Sequence, residues 1–327
     1  MEMRSLPRMG RQVGVVGLGA WQLGADWGAV SDDDALATLR AAVAAGVTFI
    51  DTADVYGDGR SEQLIGRLLR ELPDAGITVA TKVGRRAALD PAHYTAENFR
   101  AWTDRSRANL GMDTLDLVQL HCPPTPVYDM DEVFDALDAL VEAKRITAYG
   151  VSVETTAEAL TAIARPGVAS VQIILNPFRH KPIEDVLPAA AKAGVGVIAR
   201  VPLASGLLSG KYNEDTEFAA DDHRTYNRHG EAFDMGETFS GVDFATGLAA
   251  VRRLAPVVPP DATMAQFALR WILDQPGVTV VIPGARNPDQ ARANAAATEL
   301  RPLSTEAQTT VTDVYDELIR PQVHHRW

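Results

Sequence analysis

The sequence is poor in the residues that support disulfides, nucleic-acid contacts or membrane spans. Its 327 residues include a single cysteine, Cys122, which excludes an internal disulfide and a multi-cysteine zinc site. Acidic residues outnumber basic ones by 43 to 31, and the net charge of −12 argues against nucleic acid as a partner. No stretch approaches the roughly 18 consecutive apolar residues of a transmembrane helix, so no membrane partner is predicted.

The remaining composition is that of an ordinary globular protein, with 46% apolar and 23% charged residues. A chain of this length buries enough surface to fold without a metal or disulfide. The seven histidines form neither an HxH nor an HExxH motif, so no metal site is predicted. The first residues, MEMRSLPRMGRQVGVV, contain no uninterrupted apolar signal segment, and we therefore expect a cytoplasmic protein.

Short apolar runs rich in β-branched residues recur eight times along the chain, as is typical of parallel strands covered on both faces. Helix-like segments separate them, and one of these begins at Ser31 with three acidic residues behind the serine. The predicted strands are residues 13–19, 47–53, 77–83, 115–121, 146–152, 168–176, 195–201 and 278–284.

Eight such units predict a single (β/α)₈ domain, a TIM barrel, over residues 1–327. The step from the seventh to the eighth strand is much longer than the others, which predicts an insertion within residues 203–262. An extra C-terminal helix is expected in STEAQTTVTDVYDELIR. An open doubly wound sheet is the alternative, and eight strands disfavour it only weakly.

Four chemically active side chains are predicted to meet at one rim of this barrel. Asp51, Lys82 and His121 end the second, third and fourth predicted strands, and Tyr56 follows Asp51 by five residues. Active sites of such barrels lie at the carboxyl ends of the strands. Any one of these residues alone is more often a cap, a turn former or a solvated strand end. Their placement on three successive strands predicts a catalytic site.

The chemistry that this set favours is protonation of a substrate oxygen. The ordinary tyrosine pKa is about 10. A nearby ammonium stabilises the phenolate and is expected to lower the pKa of Tyr56. Asp51 would keep Lys82 charged, and His121 can hydrogen-bond the same substrate oxygen. Such an arrangement suits hydride transfer to a carbonyl, with the hydride supplied by a cofactor.

The motifs around these residues resemble those of the aldo-keto reductases over nearly the whole chain. The segments that carry the resemblance are DTADVYGDGRSEQLIG, ITVATK, LDLVQLH, YGVS and IPGARNPDQARAN. The resemblance implies a barrel that binds NADPH without a Rossmann domain and acts on a small-molecule carbonyl substrate. It also implies that Tyr56 is the general acid, that Lys82 and Asp51 tune it, and that His121 orients the carbonyl.

The resemblance further implies which residues contact NADP(H). Ser152 and Gln172 are expected at the nicotinamide carboxamide, residues 203–211 at the phosphates, and residues 284–294 at the adenosine end. Arg286 is also favoured by its position between a strand end and a helix start, where phosphates bind. The predicted cofactor contacts are Ala20, Trp21, Asp51, Ser152, Gln172, Arg200, Leu203, Ser205, Gly206, Lys211, Arg224, Gly284, Ala285, Arg286, Gln290 and Asn294.

Several of these positions carry a specific expectation. Arg200 stands where many relatives have an aromatic residue stacked on the nicotinamide, and its planar guanidinium is expected to stack there too. Arg224, in the long insertion, either folds over the cofactor or is a solvated loop charge. Trp21 and Trp27 follow the first strand, where Trp21 is expected to wall the substrate pocket and Trp27 to pack beneath the rim.

The predicted activity is NADPH-dependent reduction of an aldehyde or ketone to an alcohol. Two alternatives stay open at this point. One is a regulatory subunit that binds NADPH as a redox sensor. The other is a sugar or polyol dehydrogenase that works in the oxidative direction, because both directions use the same residues. The sequence favours no particular oligomeric state.

Overall fold

The strands of the protein follow one another around a barrel. In the computed structural model, which describes residues 1–24 and 30–327, an antiparallel hairpin precedes eight strands, each parallel to the next. The hairpin is β1 (Met3–Leu6) and β2 (Arg11–Gly14). The barrel strands are β3 (Leu18–Gly19), β4 (Phe49–Asp51), β5 (Thr78–Val83), β6 (Leu115–His121), β7 (Ile146–Ser152), β8 (Val168–Ile174), β9 (Gly196–Arg200) and β10 (Val280–Val281).

The last strand returns to the first and closes the sheet. Val16 and Gly19 form parallel bridges to Val281 and Gly284. The Gly17 amide donates a hydrogen bond of 2.8 Å to the Val281 carbonyl. The predicted (β/α)₈ architecture is therefore confirmed, and the open doubly wound sheet is excluded.

The first predicted strand, residues 13–19, is divided between two structures. Arg11–Gly14 pairs with β1, whereas Val16 bridges to β10 and Leu18–Gly19 pairs with β4. The division arises because Leu6 and Val13, both fully buried, pack with the side chains that fill the barrel interior. The hairpin thus covers the amino-terminal end of the barrel and leaves the opposite end for the site.

Helices surround the barrel, and their starts follow the capping residues of the sequence. Ser31 accepts a hydrogen bond from the Asp34 amide, which confirms the helix predicted there. The helices are α1 (Trp21–Gly24), α2 (Asp32–Ala44), α3 (Arg60–Glu71), α4 (Ala96–Leu110), α5 (Asp131–Glu142), α6 (Thr156–Ile163), α7 (Lys181–Glu184), α8 (Val186–Ala193), α9 (His223–Tyr226), α10 (Phe244–Leu254), α11 (Met264–Leu273), α12 (Pro288–Ala295), α13 (Thr305–Val314) and α14 (Arg320–Val323). A large apolar layer packs between them and the outer face of the barrel.

The connection from β9 to β10 is by far the longest of the barrel. It contains α9 to α11 and four 3₁₀ turns, Ala204–Ser209, Met235–Glu237, Phe239–Gly241 and Ala255–Val257. After α13, a π-helical turn, Tyr315–Ile319, leads into α14. Trp27 lies outside the described residues. None of the described helices combines the length and apolar character that a bilayer span requires. Within residues 1–24 and 30–327, no three His, Cys, Asp or Glu side chains group as a metal site would require.

Candidate active site

A cleft of about 650 Å³ opens at the carboxyl ends of the strands. It brings together the four predicted catalytic residues and all but two of the predicted cofactor contacts. The predicted residues that line it are Trp21, Asp51, Tyr56, Lys82, His121, Ser152, Gln172, Arg200, Leu203, Ser205, Gly206, Lys211, Arg224, Gly284, Arg286, Gln290 and Asn294.

Ala20 and Ala285 are the two predicted contacts that do not line the cleft. Both side chains are fully buried. Ala20 lies beneath the rim, where its amide donates to the Asp51 carbonyl at 2.8 Å and its carbonyl accepts from Ser61 Oγ. Ala285 packs in the layer between barrel and helices. The adjacent residues Trp21 and Gly284 line the cleft at these two positions instead.

Lys82 connects the side chains that the sequence predicts to be catalytic. Its Nζ donates to Asp51 Oδ1 at 2.5 Å, to the Thr52 carbonyl at 2.9 Å and to Tyr56 Oη at 3.3 Å. Lys82 and Asp51 are 1% and 3% exposed, so the ion pair is sealed from solvent. The His121 ring meets the Tyr56 ring edge-on, with 5.9 Å between centroids.

The turn after β4 fixes the position of Tyr56. Tyr56 begins the 3₁₀ turn Tyr56–Gly59, and its ring stacks on Trp21 with 6.0 Å between centroids. The next residue, Gly57, has a φ of 59°, and a Cβ there would lie 2.5 Å from the Gly24 carbonyl oxygen. Only glycine allows this close approach. The segment that carries Tyr56 therefore packs directly against the segment that ends at Gly24, and this contact fixes the position of the tyrosine.

Burial shifts the pKa values of the proton-transfer pair. Desolvation raises the pKa of Tyr56 above its ordinary value, although the Lys82 charge opposes the shift. The expectation that Lys82 would lower the tyrosine pKa is corrected, because desolvation outweighs the ammonium. For Lys82, desolvation lowers the pKa, but attraction to Asp51 and Tyr56 leaves it above its ordinary value. At neutral pH the site therefore holds a protonated tyrosine beside a charged lysine.

His121 is electrically neutral at physiological pH. Burial, reinforced by the positive charges of Arg85, Lys82 and Arg200, holds its pKa well below the usual range. Its Nδ1 is buried without a hydrogen-bond partner, and its backbone carbonyl accepts a 3.0 Å bond from Arg85 Nε. A neutral imidazole presents one N–H and one lone pair, so it can donate a hydrogen bond without adding charge.

The second carboxylate oxygen of Asp51 orients two buried amides. Gln172 Nε2 and Gln119 Nε2 donate to Asp51 Oδ2 at 2.8 and 3.2 Å. A carboxylate only accepts, so both amide nitrogens must face it. Gln119 was missed by the sequence reasoning. Its position two residues before His121, on the same face of β6, is the signal that identifies it.

Arg200 is engaged more heavily than the sequence suggests. Its guanidinium pairs with Glu154 at 3.0 Å and with Glu237, and it donates to the Val153 carbonyl at 2.9 Å. Glu154 also pairs with Arg85 at 3.3 Å. Arg85 and Glu237 line the cleft and were not predicted. Glu237 comes from the long β9–β10 connection, where no local motif marks it.

The opposite end of the cleft is built from the IPGAR segment and its surroundings. The Arg286 amide donates to Gln290 Oε1 at 2.8 Å, and Asn294 Nδ2 donates to the Gly284 carbonyl at 3.1 Å. The Arg286 side chain is exposed. Arg224 also lines the cleft, where it pairs with Asp222 at 2.5 Å and has only 12% of its side chain exposed. The reading of Arg224 as a solvated loop charge is therefore not supported.

A buried carboxyl lies beside the turn that carries Tyr56. Asp54 is 0% exposed, and neither side-chain oxygen has a hydrogen-bond partner among the described residues. Desolvation, followed by repulsion from Glu62, raises its pKa to about 7, while Arg86 and Arg105 oppose the shift. In the folded protein this carboxyl is therefore protonated over a pH range in which an unfolded chain has lost the proton.

Asp54 should make the protein less stable as the pH rises. Between an ordinary pKa of 3.8 and the folded value of about 7, the folded state binds a proton that the unfolded state lacks. Stability therefore falls through this window, by up to about 4 kcal/mol. Asp54→Asn should be more stable than the wild type at about pH 8 and similar to it near pH 4. Urea unfolding at both pH values measures this. Equal stability differences at the two pH values would contradict the assignment.

Comparison with known proteins identifies one family. Residues 15–316 match the model of the aldo/keto reductase family. The sequence is 30% identical over 331 residues to aldo-keto reductase YhdN of Bacillus subtilis, covering 99% of this chain and 96% of that protein.

Two solved structures resemble the fold closely. One is the glycerol dehydrogenase AKR11B4 from Gluconobacter oxydans, with a TM-score of 0.78, 30% identity, and 97% and 96% of the two chains covered. The other is an aldo/keto reductase from Klebsiella pneumoniae in complex with NADP and acetate, with a TM-score of 0.72, 24% identity and 96% of each chain covered. The family match over most of the chain and the closed barrel lead to one conclusion: the chain belongs to the aldo/keto reductase family.

Proposed function

We propose that the protein uses NADPH to reduce an aldehyde or ketone to an alcohol, with Tyr56 as the proton donor. The observation that carries this proposal is the Tyr56 hydroxyl, 3.3 Å from a buried and charged Lys82, at the wall of an open cleft. Membership of the aldo/keto reductase family supports the reaction class.

The cleft has the polar groups that a dinucleotide phosphate requires. Besides Tyr56, the cleft is lined by Lys211 and Arg286, whose side chains are exposed and make no ion pair within the described residues. An arginine beyond a strand end can bind a phosphate together with helix N–H groups. The Klebsiella pneumoniae neighbour is a complex with NADP. We infer that NADP(H) binds along this cleft and, when bound, supplies the hydride.

The remaining predicted contacts would hold the cofactor. Ser152 and Gln172 lie beside the catalytic residues, in register with His121 across β6, β7 and β8. Because Asp51 binds the Gln172 nitrogen, the oxygen of this amide is left to accept from a carboxamide. Ser205 and Gly206 would contact the phosphates, and residues 284–294 the adenosine.

Each of the four side chains has a different role in protonation of the carbonyl oxygen. Tyr56 is protonated at neutral pH and donates its hydroxyl proton to the carbonyl oxygen. Lys82 then stabilises the phenolate, and Asp51 keeps Lys82 charged. His121 donates a hydrogen bond from its neutral imidazole to the same oxygen and thereby orients the substrate. The burial of the Lys82–Asp51 pair keeps water from screening these interactions.

A substrate screen tests the reaction class. Aldehydes and ketones of graded size are offered with NADPH and with NADH, and loss of the reduced cofactor is measured together with alcohol formation. The proposal expects alcohol from at least one carbonyl class with NADPH. Tight NADPH binding without consumption of any carbonyl would favour the regulatory alternative.

The oxidative direction is the second candidate, because the Gluconobacter oxydans neighbour is a glycerol dehydrogenase. Oxidation requires Tyr56 to accept a proton, and therefore to be ionised first. The raised pKa of Tyr56 makes this form scarce at neutral pH, which favours reduction. Rates with polyols and NADP⁺ should therefore rise steeply with pH. An oxidation rate at neutral pH that exceeds the reduction rate would reverse the assignment.

Arg286 should determine the preference for NADPH over NADH. A phosphate held by a charged hydrogen bond is worth about 1.5–3 kcal/mol, or about one to two decades of affinity. Arg286→Ala should weaken NADPH by about that factor and leave NADH almost unchanged. Titration of both cofactors by tryptophan fluorescence measures the two affinities. An equal loss for both cofactors would show that Arg286 contacts the adenine instead.

A further inference from the structure

Trp327 lies against the back of a segment that walls the cleft, although the residue itself does not reach the cleft. Its side chain is buried, with 7% of the residue exposed. The indole Nε1 donates to both carboxylate oxygens of Asp234, at 3.1 and 3.2 Å. Asp234 belongs to the long β9–β10 connection, so this contact joins two parts of the chain that are distant in sequence.

The indole fits its surroundings closely. The Arg179 guanidinium lies 3.5 Å from the ring centroid and is itself only 2% exposed. Gly241 also packs against the ring: it has a φ of 77°, and a Cβ there would lie 2.4 Å from a ring atom. Any other residue at position 241 would displace the ring. The contact therefore combines a cation–π interaction, one bifurcated hydrogen bond to a carboxylate and close packing on the backbone.

Asp234 links Trp327 to the residues that line the cleft. Its Oδ1 accepts from the Gly236 amide at 2.7 Å, and its carbonyl accepts from the Glu237 amide at 3.1 Å, which together form the turn Met235–Glu237. Glu237 in turn makes two contacts with residues that line the cleft. Its carboxylate pairs with Arg200, and its carbonyl accepts from Ser205 Oγ at 2.7 Å.

We propose that Trp327 is a positioning residue that holds residues 234–241 against the rim, so that the Glu237 carboxylate stays on Arg200 at the wall of the cleft. The functional part of this statement rests on the proposed carbonyl reduction. The structural part does not, and it can be tested on the protein alone. Without the indole, Asp234 loses its side-chain donor and Gly241 loses its packing partner, so the segment should open more often.

Amide hydrogen exchange of the cofactor-free protein tests the structural part. Trp327→Ala should raise exchange within residues 234–241 by about 10- to 100-fold, the factor expected for one charged hydrogen bond. Trp327→Phe keeps a ring over Arg179 but lacks the N–H, so it should give an intermediate rise. His325→Ala, an exposed neighbour, is the matched control and should leave exchange unchanged.

Two exchange results would overturn the proposal. One is unchanged exchange at residues 234–241 in both Trp327 variants. The other is a uniform rise over the whole barrel, including β7, which would show general destabilisation instead of local opening. If Trp327→Ala does not fold, the exchange of Trp327→Phe still tests the proposal.

Kinetics with the best carbonyl substrate tests the functional part. Trp327→Ala should raise KM more than it lowers kcat, since the proton-transfer set is not in contact with Trp327. Glu237→Gln should also raise KM, and the double variant should be no worse than the poorer single variant. Additive effects would show that Trp327 does not act through Glu237.

The positioning role and the proposed function can fail separately. If Tyr56→Phe abolishes turnover but the Trp327 variants do not show the expected exchange and kinetics, the positioning role alone is wrong. If no carbonyl is reduced, the exchange experiment still decides the structural part.

Discussion

Tyr56→Phe is expected to lower kcat for carbonyl reduction by about 10²–10⁴-fold, the usual worth of general acid catalysis. The substitution removes the hydroxyl and keeps the ring that stacks on Trp21 and meets His121. Lys82 retains its bonds to Asp51 and the Thr52 carbonyl, so no buried charge is left unpaired. Steady-state rates give the loss of turnover, and NADPH titration by tryptophan fluorescence should show unchanged affinity.

Tyr94→Phe is the matched control for this substitution. Tyr94 is also buried, but its hydroxyl has no hydrogen-bond partner in residues 1–24 and 30–327, so its removal should leave turnover close to that of the wild type. Near-normal turnover of Tyr56→Phe would show that another group donates the proton.

Lys82→Met is expected to destabilise the fold by about 3–5 kcal/mol, because it leaves the Asp51 carboxylate buried without its cation. It should also change the pH dependence of reduction, since the charge that stabilises the phenolate is gone. In the wild type, the stabilisation from Lys82 is complete below the ordinary lysine pKa of about 10.4. It is lost only as the pH rises through the still higher folded pKa.

The double variant Lys82→Met with Asp51→Asn separates stability from catalysis. Neutralising Asp51 removes the unpaired charge and should restore part of the stability, whereas turnover should stay low. Urea unfolding measures the first quantity, and rate–pH profiles measure the second. A Lys82→Met variant with wild-type unfolding and an unchanged pH profile would contradict the role of the buried pair.

The barrel and the convergence of Asp51, Lys82 and His121 at its rim could be predicted because both depend on local sequence. Strands buried on both faces appear as short apolar runs, and the residues that end these runs converge at one edge. Asp51, Lys82 and His121 were found in this way. The hairpin was missed because residues 13–19 form one unbroken apolar run. In the structure, Val13 belongs to the hairpin, whereas Val16, Leu18 and Gly19 pair with strands of the barrel.

Other parts of the site depend on contacts that no local pattern encodes. Glu237 meets Arg200 only because the β9–β10 connection folds back over the rim. Arg85 follows Lys82 by three residues, but its bond to the His121 carbonyl requires the folded rim. The direction of the Tyr56 pKa shift was mistaken for the same reason. The sequence predicts that the Lys82 ammonium lies near Tyr56. Only the structure shows that desolvation of Tyr56 raises its pKa by more than Lys82 lowers it.

The most direct test of the central claim is a single turnover of the preformed NADPH complex mixed with a carbonyl substrate found in the screen. The wild type should form one alcohol for each NADPH consumed, in a single exponential phase. Tyr56→Phe should bind NADPH equally well and react slower by about two orders of magnitude or more. Alcohol formation by Tyr56→Phe at the wild-type rate would contradict the account, as would a wild-type complex that holds NADPH and reduces no carbonyl.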